Sequence, residues 1–123
     1  MNNQDFAIIT HAIELARKRP GDLVSVYTMD ETCFWASPSH HKLLGYKPEE
    51  MIGRHWKDSV APEDHDHATL AGDDAFLNGQ SIEFRLQAIT RQGQRVPLRG
   101  RAWISIDTPK RTPVLVFQAT PQD

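Results

Sequence analysis

One segment, residues 37–54, constrains the fold more than any other, because glycines divide it into two very short helices. It reads SPSHHKLLGYKPEEMIGR. A serine and a proline can open the first helix, and Gly45 stands where a helix C-cap favours a left-handed residue. Pro48, followed by two glutamates, predicts the start of a second helix that ends at Gly53. Helices this short, set between strand-like segments, favour a wall around an internal pocket over a packed helical bundle.

Composition restricts the class of protein. The chain has 123 residues, enough for one domain with a modest core, and its 39% hydrophobic and 24% charged content is that of an ordinary globular protein. A formal net charge of −2 gives no reason to expect binding to nucleic acid or to an anionic membrane. The single cysteine, Cys33, excludes an intramolecular disulfide and fits a reducing cytoplasm. The sequence contains no signal peptide and no long apolar run, so we expect a soluble, cytoplasmic segment.

The chain begins with an amphipathic pattern over residues 4–19, where apolar side chains recur at helical spacing. Pro20 and Gly21 stop this helix. We therefore predict an N-terminal flanking helix within residues 1–20. Its wide apolar stripe needs a partner surface.

The remaining pattern predicts strands at both ends of a helical middle. Residues 23–29 and 32–36 indicate a hairpin that turns through Asp30 and Glu31. The two short helices follow, and residues 64–78 predict a longer helix with Leu70 and Leu77 on one face. Three strands are predicted at residues 81–89, 95–106 and 114–119, with turns at 91–94 and 107–113. This order favours an α+β fold with one antiparallel sheet.

Short motifs in a fixed order carry a family resemblance. They are WASPS at 35–39, LLGY at 43–46, PEEMIG at 48–53, PED at 62–64 and EFR at 83–85, followed by a hairpin glycine, Gly93. Each motif is weak alone, but their order and spacing over residues 23–119 are specific, and the chain resembles a PAS domain. The resemblance implies a five-stranded antiparallel sheet with short helices on one face, enclosing a cavity for a ligand or cofactor. It also implies a domain body at 21–120 and a tail at 121–123 that leads to a downstream effector, such as a kinase or a DNA-binding module.

The cavity is predicted from the alternation of residues 95–106. Leu98, Gly100, Ala102 and Ile104 share one face, and its two very small residues leave volume that either large side chains or a ligand must fill. Trp56, Phe76 and Phe84 could supply the bulk. Ser25 and Gln118 are polar residues in apolar strands, and they could pair with a ligand, with the backbone or with water. The complete set of cavity candidates is Ser25, Phe34, Leu44, Met51, Trp56, Phe76, Phe84, Leu98, Gly100, Ala102, Ile104 and Gln118.

The histidines and the cysteine are the candidate cofactor ligands. Some PAS domains hold haem through a histidine on the long interior helix, which makes His67 the haem-ligand candidate, although the acidic turn around it is better explained as helix capping. His40 and His41 are predicted to be surface residues. The flavin-adduct branch of the family uses a cysteine in the helical middle, whereas Cys33 lies on an early strand and is predicted to be a small buried hydrophobe. Neither haem nor flavin is supported by a motif, so the cofactor stays unknown, and a small organic ligand is one possible occupant.

The opposite face of residues 95–106 presents arginines and Trp103, which suits a surface on which the flanking helix packs. The helix could come from the same chain or from a second copy. We expect a homodimer that involves the candidates Phe6, Ile9, Ile13 and Trp103.

The function predicted from the sequence is a sensory input domain of a signal-transduction, two-component or transcription-regulatory protein, without enzymatic activity. A ligand-free dimerisation module and a haem-based sensor are the alternatives.

Overall fold

A computed structural model describes residues 3–79, 81–106 and 113–122, with side chains at all of these positions except 3–9, 75, 76 and 106. The helices are α1 (Asn3–Lys18), α2 (Ser39–Leu44), α3 (Pro48–Met51) and α4 (His65–Asn78). The strands are β1 (Leu23–Tyr27), β2 (Cys33–Ala36), β3 (Ile82–Ile89), β4 (Arg95–Ile106) and β5 (Pro113–Pro121). Two 3-10 turns, Trp56–Ser59 and Pro62–Asp64, lead into α4. Among the described helices, none is long and apolar enough to cross a membrane.

The strands form one antiparallel sheet in the order β2-β1-β5-β4-β3. The α+β architecture predicted from the sequence is therefore confirmed. The first and last strands lie side by side in this order, and Leu23 at the start of β1 pairs with Ala119 near the end of β5. As a result, the end of α1 and the C-terminal exit of the domain meet at the same edge of the molecule.

The short helices begin where the sequence indicated and α2 ends before Gly45 as predicted, whereas α3 ends at Met51, two residues before Gly53. Gly45 has a φ of 85°, and its amide donates a hydrogen bond of 3.0 Å to the carbonyl of His41. A side chain there would also crowd Arg91 and Gln92, so glycine meets both a conformational and a steric need. Pro48 opens α3, where Glu50 Oε1 accepts a hydrogen bond from the amide of Lys47.

The sheet has an apolar cluster on each face. On the inner face, side chains of β1, β3, β4 and β5 pack against α2, α3 and the 3-10 turns. On the outer face, α1 lies across β1, and its fully buried Ala12 joins Val24, Val26 and Val116 in a second cluster. Trp103 packs against this outer cluster, as expected of a surface that receives the amphipathic helix.

One predicted local feature differs in the structure, and another is present as predicted. Leu70 and Leu77 do share a face of α4, but they are 65% and 82% exposed, and the helix approaches the sheet through its small residues instead. The first predicted hairpin turn is present, with Glu31 at a φ of 69° and Asp30 accepting hydrogen bonds from Thr32. Residues 107–112 of the last predicted turn lie outside the described residues.

Candidate ligand site between the sheet and helix α4

An internal cavity of about 120 Å³ lies between the inner face of the sheet and the helices. Its floor is formed by alternate residues of four strands, among them Ser25, Leu86, Leu98 and Phe117. Its walls come from α2, α3 and the first 3-10 turn, and α4 covers it with Ala68, Thr69, Ala71 and Gly72. The lining is therefore mainly apolar, with few polar atoms, which is typical of small-molecule sites.

The cavity opens between α4 and the β1–β2 turn. Met29 and Glu31 lie on the turn side of this mouth, and Gly72 and Asp73 lie on the helix side. Because α4 packs mainly on β3 and β4, it leaves this gap toward β1. The side chain of Met29 at this mouth is 55% exposed.

The structure brings seven of the twelve sequence-predicted cavity residues to the lining. These are Ser25, Leu44, Met51, Trp56, Phe84, Leu98 and Ala102. Four others, Phe34, Gly100, Ile104 and Gln118, do not line it, and the side chain of Phe76 lies outside the described residues.

Phe34 fails as a cavity residue because the pairing of β1 with β2 is irregular. Val26 pairs with Trp35, whereas the next residue, Tyr27, pairs with Cys33, so Phe34 is the extra residue of a bulge. Phe34 and Trp35 both pack against the outer cluster beneath α1, and Cys33 takes the inward position. The prediction that Cys33 is a small buried hydrophobe is confirmed.

Gln118 fails because it points to the other side of the sheet. It pairs with Val24 of the outer cluster, and its amide donates a hydrogen bond of 2.9 Å to Asp22. The polar partner is thus a carboxylate of the chain itself. The alternation places Phe117 and Ala119 on the inner face instead.

The volume above Gly100 is occupied by two rings. Phe84 of β3 and Phe117 of β5 stack over β4 with ring centroids 4.9 Å apart. The backbone of β5 also lies so close that a Cβ on Gly100 would be 2.2 Å from the carbonyl oxygen of Gln118. Ile104 does not line the cavity, although Leu115, its pairing partner on β5, does. Large side chains therefore fill the space above Gly100, whereas the space beside Ala102 remains as a cavity.

His40 is a site residue that the sequence interpretation missed. It was predicted to be on the surface, but it is 3% exposed and lines the cavity. Burial lowers the pKa of His40 to about 4, against a smaller opposing effect of its hydrogen bond to the Ser37 backbone. The imidazole is therefore neutral at pH 7. A signal was available, because His40 stands one helical turn before Leu44 and so shares its buried face.

Ser25 supplies a second polar atom. Its side chain is 1% exposed, and its Oγ makes no well-formed hydrogen bond to any residue that the structure describes. Burial raises the pKa of the neighbouring Tyr27 phenol, and an interaction with the Ser25 side chain partly offsets this effect. Because this marginal contact with Tyr27 leaves the buried hydroxyl incompletely satisfied, the atom marks a place where a ligand polar group would be stabilised.

The haem-ligand candidate lies elsewhere. His67 does not line the cavity, and its Nε2 lies 2.8 Å from the backbone carbonyl of Arg85 on β3, to which it can donate a hydrogen bond. The geometry therefore excludes His67 as an axial ligand within this cavity, because its accessible nitrogen is already directed at β3. Within the described part of the chain, no cluster of three or more metal-ligating side chains occurs.

The four dimer candidates fall on or near α1. Trp103 lies under the helix in the outer cluster, and Ile13 is half-buried beside the fully buried Ala12. Phe6 and Ile9 have side chains outside the described residues. The flanking helix packs on the sheet of its own chain.

A family model described as the PAS fold matches residues 34–115, well over half of the chain. The chain belongs to the PAS family. The resemblance inferred from the motifs and the five-stranded fold expected from it are both confirmed.

A curated relative is hypoxia-inducible factor 1-alpha from chicken, Gallus gallus, which is 27% identical over 90 residues. The match covers 73% of this chain but 11% of that protein. The chain therefore spans about a ninth of the length of the relative.

Solved structures of similar fold come from distant organisms. The PAS domain of a protein from Colwellia psychrerythraea superposes with a TM-score of 0.78 at 15% identity, covering 93% of this chain and 97% of that one. PAS-B of Drosophila melanogaster Cycle, recorded with bound ethylene glycol, gives 0.74 at 8% identity, covering 81% and 99%. The N-terminal domain of a diguanylate cyclase with a PAS/PAC sensor from Marinobacter aquaeolei gives 0.67 at 16% identity, covering 81% and 94%. At these identities the likeness concerns the fold.

Proposed function

We propose that this PAS domain is a sensory input module that binds a small organic molecule in its internal cavity. The observation that carries the proposal is the buried hydroxyl of Ser25, which lines an otherwise mainly apolar cavity without a well-formed hydrogen bond to the described residues. Protein interiors normally pack without cavities of this size and satisfy their buried polar groups with hydrogen bonds. A chain that keeps both a cavity and an incompletely satisfied hydroxyl therefore has a site suited to a ligand. The bound ethylene glycol in the Cycle structure is consistent with small molecules entering this fold.

The fold offers a route from this cavity to the chain ends. β1 contributes three lining residues and pairs with β5 along its whole length, and α1 packs on the back of β1. A ligand that binds one arrangement of β1 better than another would shift the population of that arrangement. We propose that α1 and the exit after β5 pass this shift to an effector module in a longer protein, such as a kinase, a nucleotide cyclase or a DNA-binding domain.

The proposal includes no catalytic role. The ionisable lining residues other than buried His40 and Tyr27 are Glu31 and Asp73, which lie at the mouth. It also places the protein in the cytoplasm, where the buried thiol of Cys33 would stay reduced. Dimerisation through α1 is part of the same proposal, with the exposed half of Ile13 and the first turns of α1 as the contact region.

A thermal-shift screen with small uncharged compounds tests ligand binding. A ligand that binds only the folded state raises the melting temperature by mass action, with a stabilisation of roughly RT ln(1 + [L]/Kd). The variant Ala102→Leu fills the cavity floor and should abolish the shift while keeping the fold. Leu70→Ala, on the exposed face of α4, is the control and should shift like the wild type.

The alternative, a dimerisation module that senses nothing, predicts a different result. No compound would shift the melting temperature, and Ala102→Leu would raise the stability of the domain without weakening dimerisation. Mass measurement in solution at several concentrations then decides whether the domain pairs with a second copy.

A further inference from the structure

The tautomer of the buried His40 follows from a chain of hydrogen bonds behind it. Ser39 Oγ lies 2.7 Å from the backbone carbonyl of Asp22, which can only accept, so Ser39 donates its hydroxyl proton there. Ser37 Oγ lies 2.6 Å from Ser39 Oγ and must therefore donate to it. The Ser37 hydroxyl proton is then committed, and its remaining capacity is to accept.

His40 Nδ1 must consequently carry the ring proton. It lies 3.0 Å from the Ser37 carbonyl oxygen and 3.3 Å from Ser37 Oγ, and both of these atoms act as acceptors. A neutral imidazole with a proton on Nδ1 has a lone pair on Nε2. No hydrogen bond to Nε2 is made within the described part of the chain, and His40 borders the cavity. Nε2 is thus a hydrogen-bond acceptor available to a ligand.

Ser25 lies at the same end of the cavity. Ser37 exchanges hydrogen bonds with Val24, the residue before Ser25, through both its backbone and its hydroxyl. Ser25 itself pairs with Ala36, the residue before Ser37. The cavity therefore presents an acceptor on α2 and a hydroxyl on β1 from adjoining parts of its wall.

Size and charge restrict what these two atoms can hold. A dry protein cavity of about 150 Å³ binds benzene, so a cavity of about 120 Å³ suits a molecule no larger than a single small ring. Among the described lining residues the acids Glu31 and Asp73 lie at the mouth and no lysine or arginine is present, which disfavours anions. A fully charged group would also lose its hydration with no counter-charge inside.

We infer that the cavity selects a small uncharged hydroxyl compound, whose O–H donates to His40 Nε2 and whose oxygen accepts from Ser25 Oγ. This inference rests on the proposed function and specifies its ligand class. A hydroxyl is the group that can pair with both atoms at once, because it is a donor and an acceptor on a single atom. The apolar remainder of the molecule, an aromatic ring or a short branched alkyl group, fills the space beside Ala102.

Phenol and fluorobenzene are a matched pair of probes, similar in size and differing in the hydroxyl group. Titration of the wild-type protein, followed by calorimetry or NMR, should give a Kd for phenol about fivefold to tenfold lower than that for fluorobenzene, as expected for one or two neutral hydrogen bonds. In His40→Leu and in Ser25→Ala the preference should fall toward onefold, while fluorobenzene binding persists.

A second readout on the wild type does not depend on any variant folding. The ¹⁵N resonance of His40 Nε2 should move when phenol is added and stay in place when fluorobenzene is added, because only phenol donates to that lone pair. Equal affinities for both probes with an unmoved His40 resonance would overturn the inference and leave the ligand-binding function standing. Failure of both probes to bind the lining residues would overturn the proposed function itself, and the inference with it.

Discussion

The side-chain amide of Gln118 donates a hydrogen bond of 2.9 Å to the carboxylate of Asp22, and this bond joins the segment after α1 to strand β5. Thr120 donates a second hydrogen bond of 2.8 Å to the same carboxylate, and Arg19 Nε lies 3.2 Å from it. Asp22 is only 4% exposed. A single buried carboxylate thus connects the flanking helix to the C-terminal exit, which are the two elements proposed to carry the signal.

Removal of this carboxylate should be costly. Asp22→Ala leaves the buried amide of Gln118 and the Thr120 hydroxyl without their acceptor, and we expect a loss of about 2–4 kcal/mol in the free energy of unfolding. Denaturant unfolding measures it. Glu14→Ala, which breaks an exposed ion pair with Arg17, is the control and should cost less than about 0.5 kcal/mol. Equal effects of the two substitutions would contradict the assignment of Asp22 as a structural connection.

Protonation of His40 should destabilise the fold in acid. The pKa of His40 falls from 6.5 to about 4 on folding, chiefly by burial, so between these values the unfolded chain binds more protons than the folded one. The free energy of unfolding therefore decreases as the pH falls from about 6.5 to about 4, with His40 contributing about 2 kcal/mol of loss between pH 7.5 and pH 5.

Denaturant unfolding at these two pH values, for the wild type and for His40→Leu, isolates the contribution. The variant should show a smaller loss of stability in acid than the wild type. His41→Leu removes an exposed imidazole from the same helix and serves as the matched control. Parallel pH profiles for wild type and His40→Leu would mean that His40 is accessible to water in solution.

Gly100 should not tolerate even one methyl group. A Cβ there would meet the Gln118 carbonyl oxygen at 2.2 Å and the Ala119 Cα at 2.8 Å, both backbone atoms that move only if β4 and β5 separate. Gly100→Ala should lower stability by about 2 kcal/mol or more, as overpacking does. Gly21→Ala, where a Cβ would have nothing within 4 Å, should be near neutral. Comparable thermal unfolding of both variants would refute the close approach of the strands.

Cys33 should be inert in the native protein. Burial raises the pKa of the Cys33 thiol to about 11, so its thiolate fraction at neutral pH is about two orders of magnitude below that of a free cysteine. A thiol reagent should label the folded domain very slowly and the urea-unfolded chain at once. Labelling of native protein at the rate of a small thiol would place Cys33 at the surface.

Local sequence signals predicted the elements well. Strict alternation located β3 and β4 to within one residue, and the glycine and proline positions located α2 and the start of α3, because these features depend on neighbouring residues in the chain. The direction of a side chain depended instead on tertiary geometry. A one-residue bulge reversed Phe34, and the face of β5 on which Gln118 lies could be known only once α1 and Asp22 were placed.

The burial of His40 could not be predicted from composition for the same reason, because it depends on tertiary packing. Two adjacent histidines on a short helix are usually at the surface, and here the packing of α2 against β1 buries one and exposes the other. The chain of serine hydrogen bonds behind His40 then fixes its proton. This arrangement depends on the three-dimensional fold, although Ser37, Ser39 and His40 all belong to the segment of two short helices at residues 37–54.

The most direct measurement is an NMR titration of the ¹⁵N-labelled domain with phenol. We predict saturable shifts of the amides that surround the cavity, including Ser25, Leu98 and Ala102, with little change at Val116 on the outer face. We expect no response in Ala102→Leu. Shifts confined to the outer face would contradict a ligand site between the sheet and the helices. The absence of any shift at millimolar phenol would contradict it equally.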